Sequence, residues 1–243
     1  MNHDEACAEL VPVVDAFADA LAGADLATPV PTCPEWTLLD LACHMGRIHR
    51  WATLLVRERA QERMRAPRDG EPGAGDDVAG WLRDGGHALV DTLRAADPDE
   101  PMYSWGADQH VRFWSRRQLH ETVIHHADAQ LALGRPVAIA PAVAADGIDE
   151  LLDNLLAARH FSPKVAEVRG DGETIHLHAV DTPDAGGMGE WLVTMQPDGY
   201  SYSHGHAKGD VAVRGALADL ELVMYNRVPL DERFEVFGDR ALI

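Results

Sequence analysis

In the first half of the chain, apolar residues recur at alternating steps of three and four. Cys7, Leu10, Val14, Phe17 and Leu21 form one such stripe, the spacing of an amphipathic helix with a single buried face. The stretch TPVPTCPEW follows, and its prolines exclude a continuing helix. Thr37 with Asp40 three positions on has the form of a capping box, and opens a second stripe of Leu41, His44, Ile48, Trp51 and Leu55. A polar Gly- and Pro-rich loop covers roughly 67–76. A third helix carries Val78, Leu82, Leu89 and Leu93 and ends before Pro98. A fourth carries Leu119, Val123, Ala127 and Leu131 and stops at Gly134, with Pro136 behind it. Four amphipathic helices of this length predict a helix bundle.

The pattern changes after GRPVAIAP. One more helix is expected over 146–159, with Ile148, Leu151, Leu152 and Leu155 apolar. Strand patterns follow in TIHLHAV, EWLVTMQ, YSYSHG and GDVAVRG, with the turn residues PDG before the third. Residues 216–226 read as a helix. The expected fold class is α+β: a four-helix bundle over 1–137 and a small α+β domain over 138–243.

The chain has 243 residues, 46% hydrophobic and 25% charged, with a formal net charge of -19. Such a surface repels nucleic acid and anionic membranes, which are bound through clustered Lys and Arg. No apolar run is long enough for a membrane span, and the acidic start MNHDEACAEL lacks the basic and apolar regions of a signal peptide. Three cysteines (Cys7, Cys33, Cys43) at irregular spacing read as reduced thiols, consistent with a cytoplasmic protein. Cys43 lies about 100° around the helix from His44 and reads as a structural thiol.

The fourth helix contains RRQLHETVIHHADAQL, with His120, Glu121, His125 and His126 close together. Glu121 and His125 are four apart and project from one helix face, so they can give an oxygen and a nitrogen to one divalent ion. His120 and His126 point elsewhere. His44, within an otherwise apolar stripe, is expected to face the bundle interior and to need a partner for its ring nitrogens. A metal shared by His44, Glu121 and His125 satisfies all three, and bundle cores build metal sites from facing helices in this way. The alternatives are a hydrogen-bonded core histidine and a solvated Glu–His pair. The H-x-H pairs His176/His178 and His204/His206 lack a completing carboxylate or cysteine pattern, so they read as solvated strand residues.

The segment VPTCPEWTLLDLACHMGRIHRW resembles the V-P-x-C-P-x-W-T-x-x-D-L-x-x-H-x-G segment of the mycothiol-dependent maleylpyruvate isomerase family, a branch of the DinB-like bundle proteins. HETVIHHADAQLA resembles that family's H-E-x-x-x-H-x-x-D-A segment, and EWLVTMQPDG…HAKGDVAVRGALADLELVMYNRVP is similar to its C-terminal domain. The resemblance covers nearly the whole chain. It implies a DinB-like bundle whose zinc is held at His44, Glu121 and His125, with mycothiol as cosubstrate. Zinc lowers the pKa of a bound thiol. In an isomerase the thiolate adds to the double bond of a cis enedioate, and rotation and elimination give the trans isomer. In an S-transferase the thiolate displaces a leaving group or opens an epoxide. Nickel or cobalt could replace zinc at such N/O ligands. For an anionic substrate, Arg47, Arg214 and Arg227 are candidate partners, with surface arginines as the alternative. The C-terminal domain is expected to cover part of the pocket mouth, and the assembly to be a monomer or homodimer. The competing reading is a non-catalytic metal- or ligand-binding bundle with an accessory or stress-response role, which activity with mycothiol would discriminate.

Overall fold

The computed structural model describes residues 1–182 and 189–243. The chain divides into two compact units, Met1–Ala138 and Ile139–Ile243. The first holds α1 (His3–Leu21), α2 (Leu38–Arg57), α3 (Val78–Ala95) and α4 (Val111–Ala132). The helices form a ring, with α1 against α3 and α4, and α2 against α3 and α4. Phe17, Leu38, Leu41, Met45, Leu82 and Ala129 lie among the fully buried side chains at its centre.

Local chemistry fixes the start of α2. Thr37 Oγ1 accepts from the Asp40 amide, and the Asp40 carboxylate accepts from the Thr37 amide at 2.9 Å, a reciprocal capping box that satisfies two orphan donors. Gly46 permits close packing of α2 on α3, since a Cβ there would collide with the Trp81 ring. Helix α4 departs from the simple amphipathic expectation. Its buried residues include Arg117, Gln118, His120, Thr122, His125 and Asp128 beside apolar ones. It runs through the bundle polar side chains and all, and these must find partners inside.

The second unit contains α5 (Pro141–Asn154), two 3₁₀ segments over 155–167, β1 (Thr174–Ala179), β2 (Glu190–Gln196), β3 (Gly199–His204), β4 (Val211–Gly215), α6 (Leu217–Met224) and β5 (Glu235–Gly238). Helix α5 starts earlier than the apolar spacing predicts. Pro141 at its first turn needs no N–H partner, and the expected tail to 159 tightens into 3₁₀ geometry after Asn154. The sheet order is β3-β2-β1-β4-β5, with β1 and β4 parallel and the other pairs antiparallel. β5 is a strand that alternation did not reveal, because only four residues pair.

One sheet face presents Leu177, Trp191, Val193, Val211 and Val213, all buried. Helix α5 lies on that side, where Trp191 Nε1 donates to Asp149 at 2.7 Å and Tyr200 Oη donates to the Leu152 carbonyl at 2.7 Å. Side chains alternate along strands, so His176, His178, Glu190 and Arg214 share the opposite face.

Candidate metal centre

Two helices and one linker build the bundle site. His44 Nε2 and His125 Nε2 each lie 3.7 Å from Glu121 Oε1. The His44 and His125 rings stand 5.0 Å apart at 76°. One ligand atom from each of the three residues falls within 4.8 Å of the other two. Tetrahedral zinc with bonds of about 2.0–2.2 Å spaces its ligands roughly 3.3 Å apart, so small side-chain movements would close the set on an ion.

The outer atoms of Glu121 and His125 are engaged. Glu121 Oε2 pairs with Arg117 Nη2 at 3.0 Å, one turn earlier on α4. This leaves Oε1 to face the two imidazoles and favours monodentate ligation. His125 Nδ1 lies 2.8 Å from Oδ2 of Asp128, which is completely buried. A carboxylate behind a ligating histidine fixes its tautomer and ring orientation. Asp128 is itself held by Thr32 Oγ1 and by Cys33 Sγ at 3.5 Å. Both come from the Pro-rich linker between α1 and α2, which the Pro29–Thr37 bridge closes on itself. The same linker lays the Trp36 ring 4.9 Å from that of His44.

The electrostatics follow from these partners. Burial alone would raise the pKa of the Glu121 carboxyl, but Arg117 and the two imidazoles hold it well below the usual carboxylate range. Burial alone would lower that of His125; Asp128, Cys33 and Glu121 outweigh it and carry the imidazole up to about 10. Metal ligation at Nε2 would displace a proton from this imidazolium.

His44 differs from its expected position. It lies at the margin of the bundle with 22% of its side chain exposed, and Glu121 with 27%. A three-residue site at the rim is reachable by a small molecule, as a site in the bundle centre would not be. Inside it, His49 is completely buried. His120 is buried too, and His126 stacks on Phe17 at 5.8 Å. Cys43 is half-buried, and its Sγ lies 3.6 Å from the Pro72 carbonyl.

Sequence reasoning missed Arg117, Asp128, Cys33 and Trp36 as parts of the site. A signal existed for two: Arg117 precedes Glu121 by four, and Asp128 follows His125 by three. Of the proposed anion partners, Arg47 lies one turn after His44 and pairs with Glu71 at 2.7 Å. It lines a pocket of about 470 Å³ with Arg63, Arg65, Arg68, Trp51 and Met64. Arg214 and Arg227 belong to the second unit and have local partners there, Glu235 at 2.9 Å and the Tyr225 carbonyl at 2.8 Å.

The crystal structure of the mycothiol-dependent maleylpyruvate isomerase is similar to this chain at a TM-score of 0.57 and 14% identity, covering 97% of this chain and 93% of that one. A point mutant of that enzyme gives a TM-score of 0.54 at 14% identity, covering 91% and 88%. At this identity the likeness shows the shared α+β fold. No curated protein matches significantly. Residues 7–130 match the mycothiol maleylpyruvate isomerase N-terminal domain and residues 142–243 the C-terminal domain of the same family, so the chain belongs to the mycothiol maleylpyruvate isomerase family.

Proposed function

We propose that the protein is a zinc-dependent enzyme that uses mycothiol for isomerisation or S-transfer on a small, electrophilic, anionic substrate. The observation that carries this reading is the convergence of His44, Glu121 and His125, with Arg117 and Asp128 engaging the far atoms of two of them. Three protein donors with one position open is the ligand count of catalytic rather than structural zinc. Zinc held there supplies a positive charge that brings a thiol into its nucleophilic form near neutral pH.

The surrounding residues have separate tasks. Asp128 holds the His125 ring so that Nε2 faces the shared point. Arg117 keeps Glu121 anionic. Trp36 shields the His44 ring from water on one side. The arginine-lined pocket, one turn further along α2, offers charge to substrate carboxylates, and guanidinium forks match carboxylates bidentately. Arg47 would then exchange Glu71 for substrate.

The test is metal analysis followed by calorimetric titration with mycothiol, on wild type and His44→Ala. Zinc that depends on His44, and thiol binding that depends on that zinc, are expected, with the circular dichroism of the variant unchanged. Mycothiol binding that survives the loss of this zinc would refute the reading. Arg47→Ala is expected to raise KM for an anionic substrate with a smaller change in kcat.

A further inference from the structure

A second group of ligand-type side chains lies in the other unit. His176, His178 and His206 surround Glu190, and one ligand atom from each of the four falls within 4.8 Å of all the others. His176 Nε2 lies 2.9 Å, His178 Nδ1 3.1 Å and His206 Nδ1 2.8 Å from the same oxygen, Glu190 Oε2. The three rings stand nearly perpendicular to one another, at 85–89°, with centroids 5.5–6.0 Å apart.

The strand register produces this arrangement. His176 and His178 are two apart on β1 and share a face. Glu190 on β2 is the cross-strand partner of His178, so its side chain rises on the same face. The chain after β3 supplies the fourth member. The Gly205 amide donates to the Glu190 carbonyl at 3.1 Å, which sets His206 beside the Glu190 side chain. Asp210 accepts from the Thr174 amide at 2.8 Å and hydroxyl at 2.7 Å, tying the far end of this segment to β1. Gly209 fits only because it lacks a Cβ, which would lie 2.7 Å from the Val211 carbonyl oxygen and 3.0 Å from the backbone nitrogen of His176.

Hydrogen bonding alone accounts poorly for the geometry. A carboxylate oxygen has two lone pairs. His176 and His206 occupy hydrogen-bonding positions on Glu190 Oε2, and His178 is a third nitrogen crowded on that oxygen. Three nitrogens and one oxygen whose spacings include 2.8–3.1 Å come close to the roughly 3.3 Å edges of a tetrahedron around a zinc-sized ion. The donor set, three imidazoles and a carboxylate, suits zinc among the available divalent ions.

We propose that His176, His178, Glu190 and His206 form a second metal site for Zn²⁺, independent of the bundle site and sharing no residue with it. Four protein donors fill a tetrahedral ion, so the role is structural: the ion fastens the segment after β3 onto β1 and β2. Ion entry is open, since the His206 side chain is 78% exposed and the cluster borders a depression of about 560 Å³. Lys208 and Arg214 also line that depression and oppose a cation. Arg214 is offset by Glu235, and Lys208 sits among a chain of net charge -19.

The test is zinc stoichiometry of the full chain, loaded with Zn²⁺ alone and passed through gel filtration to remove loosely held ion. His206→Ala is the principal variant, because an exposed side chain can be removed without threatening the fold; Glu190→Gln is the second. In a His44→Ala background, one ion per chain is expected to remain, bound at least about tenfold more weakly after either change. Cobalt loaded in that background is expected to give a tetrahedral visible spectrum that His206→Ala abolishes. If the His44→Ala protein retains no ion, or retains one that neither variant weakens, the proposal is wrong. Zinc lost from wild type through Glu190→Gln but not through His44→Ala would uphold this site and refute the bundle reading instead.

Discussion

The two histidine–carboxylate clusters contain the same chemistry on different scaffolds. In the bundle, Glu121 and His125 come from one helix face, and their outer atoms reach buried groups: Arg117 with 8% of its side chain exposed, and Asp128 with none. In the sheet, His176 and His178 come from one strand face, Glu190 from its neighbour and His206 from a surface segment, with their polar atoms turned toward one another. The bundle cluster is thus tied to buried charged partners, whereas the sheet cluster, apart from the buried His176, is partly exposed. Changes in the first should cost metal and also the stability of the metal-free protein, while changes at the exposed edge of the second should cost metal and leave the metal-free stability unchanged.

The largest effect on the bundle cluster is expected from Glu121→Gln. It removes the one carboxylate of the three proposed ligands and weakens the charge compensation of Arg117. Loss of the His44-dependent zinc, together with about 1–3 kcal/mol of apo stability in urea melts, is the expected outcome. Unchanged apo stability would show that the bundle cluster is no more coupled to its core than the sheet cluster.

Next is the acid behaviour of His49. Thr122 Oγ1 donates to the Gln118 carbonyl at 2.7 Å, so His49 Nε2 must donate to Thr122 at 2.9 Å, leaving Nδ1 buried without a hydrogen-bond partner among the described residues. Burial, aided by Arg50, pushes this imidazole down to about 3 from an ordinary 6.5. The unfolded chain therefore takes up the proton first. The stability that neutral His49 allows is complete above pH 6.5 and drains as pH falls from 6.5 toward 3, by about 1.4 kcal/mol per unit within that window. His49→Gln should flatten this part of the stability profile, and equal slopes in wild type and variant would rule the mechanism out.

A smaller effect should follow from Asp128→Asn, which keeps the shape but weakens the bond to His125 Nδ1. Zinc affinity in the bundle is expected to fall about 10–100-fold, measured by competition with a chelator, with no change at the sheet cluster. The smallest belongs to His206→Ala. With no metal added, its melting curve should match that of wild type within about 0.5 kcal/mol. A larger loss would mean that the sheet cluster is part of its unit's core after all.

The clusters also differ in how visible they are in the sequence. Helix neighbours are four apart, so Glu121 and His125 stand out along the chain, and an imidazole within the stripe of α2 adds His44. The H-x-H pair at His176 and His178 was equally visible, yet its carboxylate was not: Glu190 is distant in sequence and adjacent only through strand pairing. The sequence also made His204 and His206 look alike. The structure separates them, since His204 belongs to β3 and turns to Asp149 at 3.2 Å, while His206 lies beyond the strand end and turns to Glu190.

The sequence by itself determined the helices of the bundle, the capping box of α2, the strand-rich second half and the i,i+4 ligand pair, because these depend on residues within one or two turns of each other. Only the tertiary structure decided that His44 sits at the rim rather than the centre, that Asp128 and the linker residues Thr32 and Cys33 stand behind His125, and that Glu190 gathers three histidines. Each of these depends on which distant segments pack or pair, and no local period in a single chain encodes that choice.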